Sequence, residues 1–312
     1  MSNFPPPPEL MSRLSAYQPG DSWQPLKIPK QLQDWLSTDL LIPAEQYLDG
    51  RSAVIMINAQ TKDGFVAQLQ HIGGEWVDSD TDKFFYHTLR LVTGGFILTS
   101  ANFAKKVLAG WGWQTWGKNT DLKPQFTKWW AQLHGLAPMV VGITTRSGKI
   151  EGSLNPDGPN ESVLPKLNEQ YFNNYPNHRF IVFTTRDGAS NLQAEFGSLS
   201  NAQILTERIE IVVVDDGRAG LDQKGMLVFL RQVAQLEVVS CEGGPALWTS
   251  LAQENLIDLR FITTTPHVFG TGITVFQPDR DGRPLSFQEK ELLRYQFANQ
   301  NGMYTLRLLN MQ

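Results

Sequence analysis

Short apolar runs recur along the chain, and each is followed by a turn or by a stretch with helical spacing. The first of them, residues 52–59, reads SAVIMINA. Similar runs lie at 94–101, 138–145, 179–185, 209–215 and 236–242. Continuous apolar runs of this length, rich in β-branched residues, are typical of strands that are buried on both faces of a sheet.

Helical spacing appears between several of these predicted strands. Residues 80–92, DTDKFFYHTLRLV, place Phe84, Phe85 and Leu89 on one apolar stripe. Further helices are predicted at 102–110, 161–172, 225–235 and 245–256. Alternating strands and helices predict an α/β fold with a mainly parallel sheet flanked by helices. Near the C-terminus, residues 292–310 predict an antiparallel hairpin with a turn at Asn301–Gly302.

Two stretches do not follow the alternation of strands and helices. Residues 1–50 contain the run Pro5–Pro8, which favours polyproline II structure, and scattered Trp, Leu and Ile. We therefore predict an N-terminal arm over 1–50 that packs on a single domain at 51–312. Five tryptophans lie in residues 111–135, which we interpret as a partly helical insertion in that domain.

Composition narrows the class of protein. The chain has 312 residues, of which 41% are hydrophobic, and this is enough for a large core. The formal net charge is −4 without a basic run, so neither nucleic acid nor an anionic membrane is predicted as a partner. The single cysteine, Cys241, excludes an internal disulfide and a multi-cysteine zinc site. We predict a cytoplasmic protein without a metal site, in which Cys241 is a core residue.

The most informative motif is CEGGPAL, residues 241–247, which joins a predicted strand to a predicted helix. Gly243 and Gly244 permit close approach of the backbone, and Pro245 suits the first position of a helix. The unpaired N–H groups of a helix start attract phosphate. Spacing alone leaves open a phosphate-binding turn and a plain tight turn. Likewise, Glu242 can bind ligand hydroxyls or amines, or it can be a solvated or capping residue.

Three other stretches carry candidate chemistry. The first strand delivers Asp63 onto a turn that can equally be an ordinary Asp-Gly turn. Trp76 precedes the predicted helix and can be a site residue or a core aromatic. Arg90 ends the helix and can be a site residue or a cation that interacts with the helix C-terminus. After the second strand, the small hydroxylated residues Thr99 and Ser100 allow a ligand to approach the backbone.

Taken in order, these motifs resemble the reductase family of riboflavin biosynthesis, the reductase half of a bifunctional deaminase–reductase, whose fold is that of dihydrofolate reductase. The resemblance spans about residues 51–310. Its most specific part is the block Glu242–Leu247. Other matches are Thr61-Lys62-Asp63-Gly64, Trp76, Leu89-Arg90, Phe96-Ile97-Leu98, Thr99-Ser100-Ala101-Asn102, Leu256-Ile257-Asp258-Leu259-Arg260 and Pro266.

The resemblance implies a dihydrofolate-reductase-like α/β homodimer that binds NADPH at the carboxyl edge of its sheet. Hydride would pass to C1′ of a ribosylamino-pyrimidine phosphate and give a ribityl chain. Glu242 and Asp63 would be catalytic, and Arg90, Glu242 and Lys106 would bind substrate. The implied cofactor-binding residues are Ala59, Trp76, Thr99, Ser100, Asn102, Gly243, Gly244, Pro245, Ala246 and Leu247.

Several residues depart from the family pattern. Asn102 stands where the family has Thr, and Lys106 stands where Asp is common. Lys105, Lys106 and Lys118 can contact a substrate phosphate or be surface charge. Two alternatives therefore stay open: a reductase of the same fold for another imine, carbonyl or pterin-like substrate, and a non-catalytic nucleotide-binding protein.

The best candidates to bind the 2′-phosphate of NADPH are Arg146 and Arg186, each of which follows Thr-Thr at a strand end.

Overall fold

The protein is described from a computed structural model, which covers residues 4–13, 22–67, 80–93, 96–101, 122–152, 161–174, 176, 178–215, 217, 220–278, 283–299 and 302–311. The predicted helix at 102–110 and the first part of the tryptophan-rich stretch lie outside these residues. The helices are α1 Lys30–Leu36, α2 Asp80–Val92, α3 Lys123–His134, α4 Glu169–Asn174, α5 Arg186–Ser198, α6 Ala202–Arg208, α7 Gln223–Gln232 and α8 Pro245–Gln253. Short 3-10 helices span Glu45–Tyr47 and Leu164–Lys166.

The strands are numbered in chain order. They are β1 Glu9–Arg13, β2 Trp23–Pro25, β3 Leu41–Pro43, β4 Ala53–Gln60, β5 Phe65–Ala67, β6 Ile97–Ser100, β7 Met139–Thr144, β8 Glu151–Gly152, β9 Glu161–Ser162, β10 His178–Thr184, β11 Ile209–Val213, β12 Val238–Cys241, β13 Leu259–Thr264, β14 Ile273–Thr274, β15 Glu289–Asn299 and β16 Gly302–Met311. Strands β4, β6, β7, β10, β11 and β12 lie within the predicted apolar runs or extend one residue beyond them, and several short strands were not predicted.

Ten strands of the described residues form one sheet in the order β1-β15-β16-β13-β4-β12-β6-β7-β10-β11. Every neighbouring pair from β13 to β11 is parallel. The pairs that involve β1, β15 and β16 are antiparallel. Because the parallel strands run in the same direction, their carboxyl ends lie at the same edge of the sheet. The strands that end there include β13, β4, β12, β6, β7 and β10. The predicted α/β class and mainly parallel sheet are confirmed.

The C-terminal hairpin is also confirmed. Strands β15 and β16 pair antiparallel, and Asn299 lies opposite Gly302 next to the turn. Gly302 has a φ of +124°, and a Cβ there would lie 3.0 Å from Cβ of Pro266. Backbone conformation and lack of space therefore both favour glycine at this position.

The central strand β4 contributes side chains to a core on each face of the sheet. Ile55 and Ile57 lie in a cluster with the buried aromatic residues of α2, whereas Val54 and Met56 lie in a cluster with α7 and α8. This alternation is what a period of two residues imposes on a strand that is covered on both sides. A third cluster fills the space between β7, β10 and α5.

The described part of residues 1–50 packs against the larger domain. The ring of Phe4 lies 5.2 Å from that of Phe84, measured between centroids. Trp35 donates its indole N–H to the carbonyl of Pro5 at 3.0 Å. Strand β1 pairs with β15 and so lies at one edge of the main sheet. The predicted packing of the arm is therefore observed, while the domain boundary at residue 50 stays a prediction.

The single helix predicted over 161–172 is wrong in its first part. Glu161–Ser162 is a strand, Leu164–Lys166 is a 3-10 turn, and the α-helix begins only at Glu169. Pro165 has no backbone N–H, which disfavours a continuous helix through this segment. Among the described helices, none is long and apolar enough to cross a membrane.

Candidate functional site

Three adjacent strands bring most of the predicted site residues to the same edge of the sheet. Ala59 lies near the end of β4, Glu242 follows β12, and Thr99 and Ser100 end β6. The backbone N–H of Glu242 donates to the carbonyl of Leu98 at 2.9 Å, which ties the glycine turn to β6. The carboxyl edge between β4 and β6 is therefore the candidate site, where open α/β sheets bind ligands.

The turn after β12 leads directly into α8. A Cβ on Gly243 would lie 2.5 Å from Cδ2 of Leu247, so glycine allows the turn to pack against the helix. Gly244 is the residue before the helix, without a side-chain cap, and Pro245 occupies the first turn. The N–H groups of Leu247 and Trp248 both donate to the carbonyl of Gly244, at 3.0 and 3.2 Å.

The surface in front of this helix is open at Gly244. A Cβ there would meet no atom within 4 Å, and the residue is half-buried. The helix dipole adds partial positive charge at a helix start, where N–H groups without a helix partner can bind an anion. In α8, Pro245 has no N–H and Leu247 donates to Gly244, so Ala246 is the first-turn residue whose N–H has no backbone hydrogen bond among the described residues. The turn at Gly243–Gly244 can therefore offer this N–H and the helix dipole to an anion.

Glu242 lies in a buried polar cluster. Arg90 donates from Nε to Oε1 at 2.7 Å and from Nη2 to Oε2 at 2.5 Å. Tyr86 donates its hydroxyl to Oε2, and Ser240 donates to Oε1 at 3.1 Å. An ionised carboxylate has about four acceptor positions. All of them are occupied, and the Glu242 side chain is only 1% exposed.

Burial and the neighbouring groups determine the charges of Arg90 and Tyr86 in this cluster. Burial opposes the charged form of Arg90, but the Glu242 carboxylate outweighs it, so the pKa of Arg90 is raised. Burial also raises the pKa of Tyr86, which stays a neutral donor. The guanidinium lies 4.2 Å from the centroid of the Tyr86 ring. Arg90 and Glu242 form a buried ion pair. The predicted catalytic and substrate-binding roles of these two residues stay predictions.

Asp63 joins two loops at the same edge. Its Oδ2 accepts the backbone N–H groups of Phe269, at 3.1 Å, and of Gly270, at 2.7 Å. A hydrogen bond with the Thr61 side chain lowers the pKa of Asp63, burial opposes this weakly, and the two amides lower it further. The exposed carboxylate therefore bonds the turn after β4 to the loop after β13. A catalytic role for Asp63 stays a prediction.

Replacement of Asp63 by Ala is expected to loosen the loop after β13. The amides of Phe269 and Gly270 lose their acceptor, so their hydrogen exchange should become faster. The same effect should appear in the wild-type protein as the pH falls through the lowered pKa of Asp63. Amide exchange measured residue by residue tests this. Asp34→Ala, which removes an exposed carboxylate paired with Lys30, is the control and should leave both amides unchanged.

Three predicted site residues, Trp76, Asn102 and Lys106, lie outside the described residues, as do Lys105 and Lys118. Of the described ones, Thr99 is fully buried, and its hydroxyl is among the buried side-chain atoms for which no hydrogen bond is found in the described part of the chain. Ser100 is half-buried, and Ala246 is exposed. The proposed cofactor contacts of these residues stay predictions.

Helix α2 contributes two polar residues that the sequence analysis did not select. Asp82, Tyr86 and Arg90 follow each other at intervals of four residues, so they share one face of the helix. Tyr86 contacts Glu242, and Thr263 of β13 donates its hydroxyl to Oδ1 of Asp82. In the sequence, these residues form a polar row beside the apolar stripe of the helix. What the row contacts depends on which strands lie beneath the helix, and this cannot be inferred from the helix alone.

Two segments of similar sequence lie at the ends of the neighbouring strands β7 and β10. They read Thr144-Thr145-Arg146-Ser147-Gly148, which continues β7 into a loop, and Thr184-Thr185-Arg186-Asp187-Gly188, which joins β10 to the first turn of α5. Gly148 has a φ of +77°, and a Cβ there would lie 2.0 Å from the carbonyl oxygen of Gly188. The Thr185 hydroxyl donates to the carbonyl of Arg146 at 2.8 Å. The two segments are therefore in direct contact, and each presents an exposed arginine at the carboxyl edge.

An open, mainly parallel sheet with a glycine turn and a helix start at its carboxyl edge is the arrangement in which α/β domains commonly bind ligands. A family model described as the RibD C-terminal domain matches residues 52–297, which is more than half of the chain. The protein belongs to this family. The resemblance drawn from the motifs is thereby confirmed.

Solved structures with the same fold include a pyrimidine reductase-like protein from Corynebacterium diphtheriae. It is 13% identical, the alignment covers 86% of this chain and 95% of that one, and the TM-score is 0.54. Another is RibD of Acinetobacter baumannii, with 17% identity, 85% and 59% coverage and a TM-score of 0.50. The chain thus spans less than two thirds of that RibD. No curated protein matches the chain by sequence. These likenesses support the fold alone.

Proposed function

We propose that this protein is an NADPH-dependent reductase that converts the ribosyl group of a ribosylamino-pyrimidine phosphate into a ribityl group. Membership of the RibD C-terminal domain family supports the proposal. The observation that carries it is the turn Gly243–Gly244, which starts α8 beside the end of β6. A helix start at the carboxyl edge of an open α/β sheet is a recurrent binding site for the diphosphate of a dinucleotide.

The described residues fit such a cofactor. Gly244 leaves open space in front of the α8 amides, and the hydroxyl of Thr99 is buried without a hydrogen bond among the described residues. We propose that the α8 amides hold the diphosphate and that Thr99 and Ser100 line its path along β6. When bound, the cofactor supplies the hydride.

On the substrate side, we propose that Glu242 acts through Arg90 and Tyr86. Its carboxylate has no acceptor position left, so it fixes the guanidinium and the phenol instead of meeting the substrate directly. Polar groups that are held rigidly in this way can orient a substrate without moving during the reaction. Arg90 would then present its remaining N–H groups to polar groups of the pyrimidine or the sugar.

The decisive experiment measures NADPH oxidation with the deaminated ribosylamino-pyrimidine phosphate as substrate. Turnover that depends on both compounds supports the proposal. If NADPH produces a thermal shift but no oxidation follows, the riboflavin-type reaction is excluded. A reductase of another imine, carbonyl or pterin-like substrate and a non-catalytic nucleotide-binding protein would then be the two candidates.

Arg146→Gln and Arg186→Gln are each expected to weaken NADPH binding about 10- to 100-fold and to leave NADH binding unchanged. Each arginine would supply charge-assisted hydrogen bonds to the 2′-phosphate, worth about 1.5–3 kcal/mol. Binding titrations with the two cofactors test this. Arg179→Gln, an exposed change near the opposite end of β10, is the matched control. An equal loss for NADH would contradict a 2′-phosphate contact.

We also propose that the protein is a homodimer, as the family resemblance implies, and that it acts in the cytoplasm. Sedimentation of the purified protein over a range of concentrations tests the oligomeric state.

A further inference from the structure

A cavity of about 650 Å³ lies between the N-terminal arm, the start of α2 and the tip of the β15–β16 hairpin. Residues from all three parts line it, among them Pro5–Pro7, Glu9, Asp80, Phe297 and Met303. Pockets of roughly 300–1,000 Å³ hold small organic molecules. The family match begins at residue 52, so the arm adds a wall that lies outside the matched domain.

The proline run explains why this space is open. Strand β1 pairs with β15 only as far as Gln296. Proline has no backbone N–H to donate, so Pro5–Pro8 cannot continue the ladder along β15. Strand β15 nevertheless extends to Asn299. Its outer edge at Phe297 and Ala298 therefore has no paired strand in the described part of the chain, and the cavity adjoins this edge.

The arm is anchored on both sides of the prolines. Before them, the ring of Phe4 lies 5.2 Å from that of Phe84 and 5.5 Å from that of Trp129, measured between centroids. At the run itself, the indole N–H of Trp35 donates to the carbonyl of Pro5 at 3.0 Å. After them, β1 is paired with β15. Because its walls are already in place, the cavity can bind a ligand without the entropic cost of ordering them.

The charged residues that line the cavity are acidic. Glu9 and Asp80 are exposed, and neither has an ion-pair partner among the described residues. The described lining contains no lysine, arginine or histidine. A concave surface with one sign of charge concentrates ions of the opposite sign. The partial positive charge at the start of α2 is offset by Asp80 and Asp82 in its first turn, so the cavity favours a cation.

The rest of the lining supplies apolar surface. Pro6 and Pro7 are exposed, and Met303 is 48% exposed although its side chain is large and hydrophobic. Phe297 is buried behind them, with its ring stacked on that of Tyr304 at 5.0 Å between centroids. Covering exposed apolar surface is favourable, so a ligand with an apolar body gains by packing here.

We propose that this cavity binds a small organic cation with an apolar body. Its ammonium or guanidinium group contacts the carboxylates of Glu9 and Asp80, and its body packs on Pro5–Pro7 and Met303. This site is separate from the candidate cofactor and substrate site. Strand β15 lies three strands from β4 in the sheet order, which is about 14 Å at the usual strand spacing.

The test uses the full-length protein labelled with methyl-¹³C methionine. Titration with phenethylamine should shift the signal of Met303 and leave that of Met226, which is fully buried in the core, unchanged. The neutral analogue phenethyl alcohol should bind about 2- to 30-fold more weakly, since it forms no ion pair with either carboxylate. Saturating NADPH should leave the affinity for phenethylamine unchanged, because the two sites are separate.

A double variant, Glu9→Gln with Asp80→Asn, should bind the amine and the alcohol with equal affinity. The matched control is Glu169→Gln with Glu210→Gln. It also alters one exposed carboxylate in the first turn of a helix and one in an edge strand, and it should keep the preference for the amine.

Ala298→Trp gives a second measurement that does not depend on charge. Ala298 is exposed and lines the cavity, and tryptophan is well tolerated in strands. The larger side chain should fill the space and abolish binding of both the amine and the alcohol, with an unchanged thermal unfolding curve. This variant decides the question if the double variant is unstable.

Three results would each overturn the proposed site. They are an unshifted Met303 signal at millimolar phenethylamine, equal affinities of the wild type for the amine and the alcohol, and displacement of the amine by NADPH. Unchanged binding in Ala298→Trp would also contradict it. None of these measurements requires oxidation of NADPH, so this inference and the proposed function can fail independently.

Discussion

Glu242→Gln is expected to lower the free energy of unfolding by about 3–5 kcal/mol, because it leaves a buried guanidinium without its anion. Arg90 is 9% exposed at its side chain and keeps its charge in the variant, because a guanidinium is not deprotonated in proteins near neutral pH. The amide can accept from Arg90 but carries no charge to balance it. Urea denaturation followed by circular dichroism measures the loss, with an unchanged slope if the folded state is intact.

Two control variants test whether the loss of stability comes from the buried ion pair. Glu237→Gln alters a carboxylate that is 68% exposed and lies 3.7 Å from Arg231, so its effect should stay within about 0.5 kcal/mol. The double variant Glu242→Met with Arg90→Met should recover most of the stability, because neither charge remains. Equal effects of Glu242→Gln and Glu237→Gln would contradict a buried ion pair.

The same variant also tests the proposed role of Glu242. Where it folds, Glu242→Gln should bind NADPH with nearly unchanged affinity, since the α8 helix start and its glycine turn are untouched. Turnover should fall, because Arg90 and Tyr86 lose the acceptor that orients them. Loss of cofactor binding instead would mean that Glu242 supports the cofactor and not the substrate.

Gly244→Val is expected to abolish NADPH binding, with a loss of affinity of at least about 100-fold, while the protein stays folded. The backbone at Gly244 has φ −83° and ψ −178°, which any residue adopts, and a Cβ would meet no atom within 4 Å. The branched side chain would instead fill the space in front of the α8 amides. Calorimetric titration with NADPH and a thermal unfolding curve measure the two effects.

The matched control is Gly197→Val. Gly197 lies in α5, and a Cβ there also meets no atom within 4 Å. Cofactor binding should be unchanged and stability should change by less than about 1 kcal/mol. If Gly244→Val binds NADPH as tightly as the wild type does, the diphosphate does not lie at this turn.

Much of the fold could be predicted from the sequence because its strands are buried on both faces. A strand such as β4 has no polar side to interrupt its apolar run, so the run marks the strand directly. Helix α2 was predicted with its observed bounds, since its apolar stripe is unbroken. Helices α5 and α6 were not predicted, because their polar residues and Gly188 and Gly197 weaken the pattern.

The candidate site was predicted only in part. The turn at Glu242–Pro245 is local in sequence, so its motif could be recognised. The pairing of Arg90 with Glu242 joins residues 152 positions apart, and that of Asp82 with Thr263 joins residues 181 positions apart. Each partner alone had an ordinary interpretation, such as a helix-terminal cation. Only the position of α2 over β12 and β13 reveals these contacts.

The pairing of β1 with β15 has a consequence for the order of folding during synthesis. The hydroxyl of Ser12 donates to Glu291, a separation of 279 residues. Strand β1 leaves the ribosome long before the C-terminal hairpin and must wait until that hairpin has been made before it can pair. Loop closure over such a distance is slow compared with local contacts. The N-terminal strand is expected to dock last, and until then the edge of β15 is open to strands of other nascent chains.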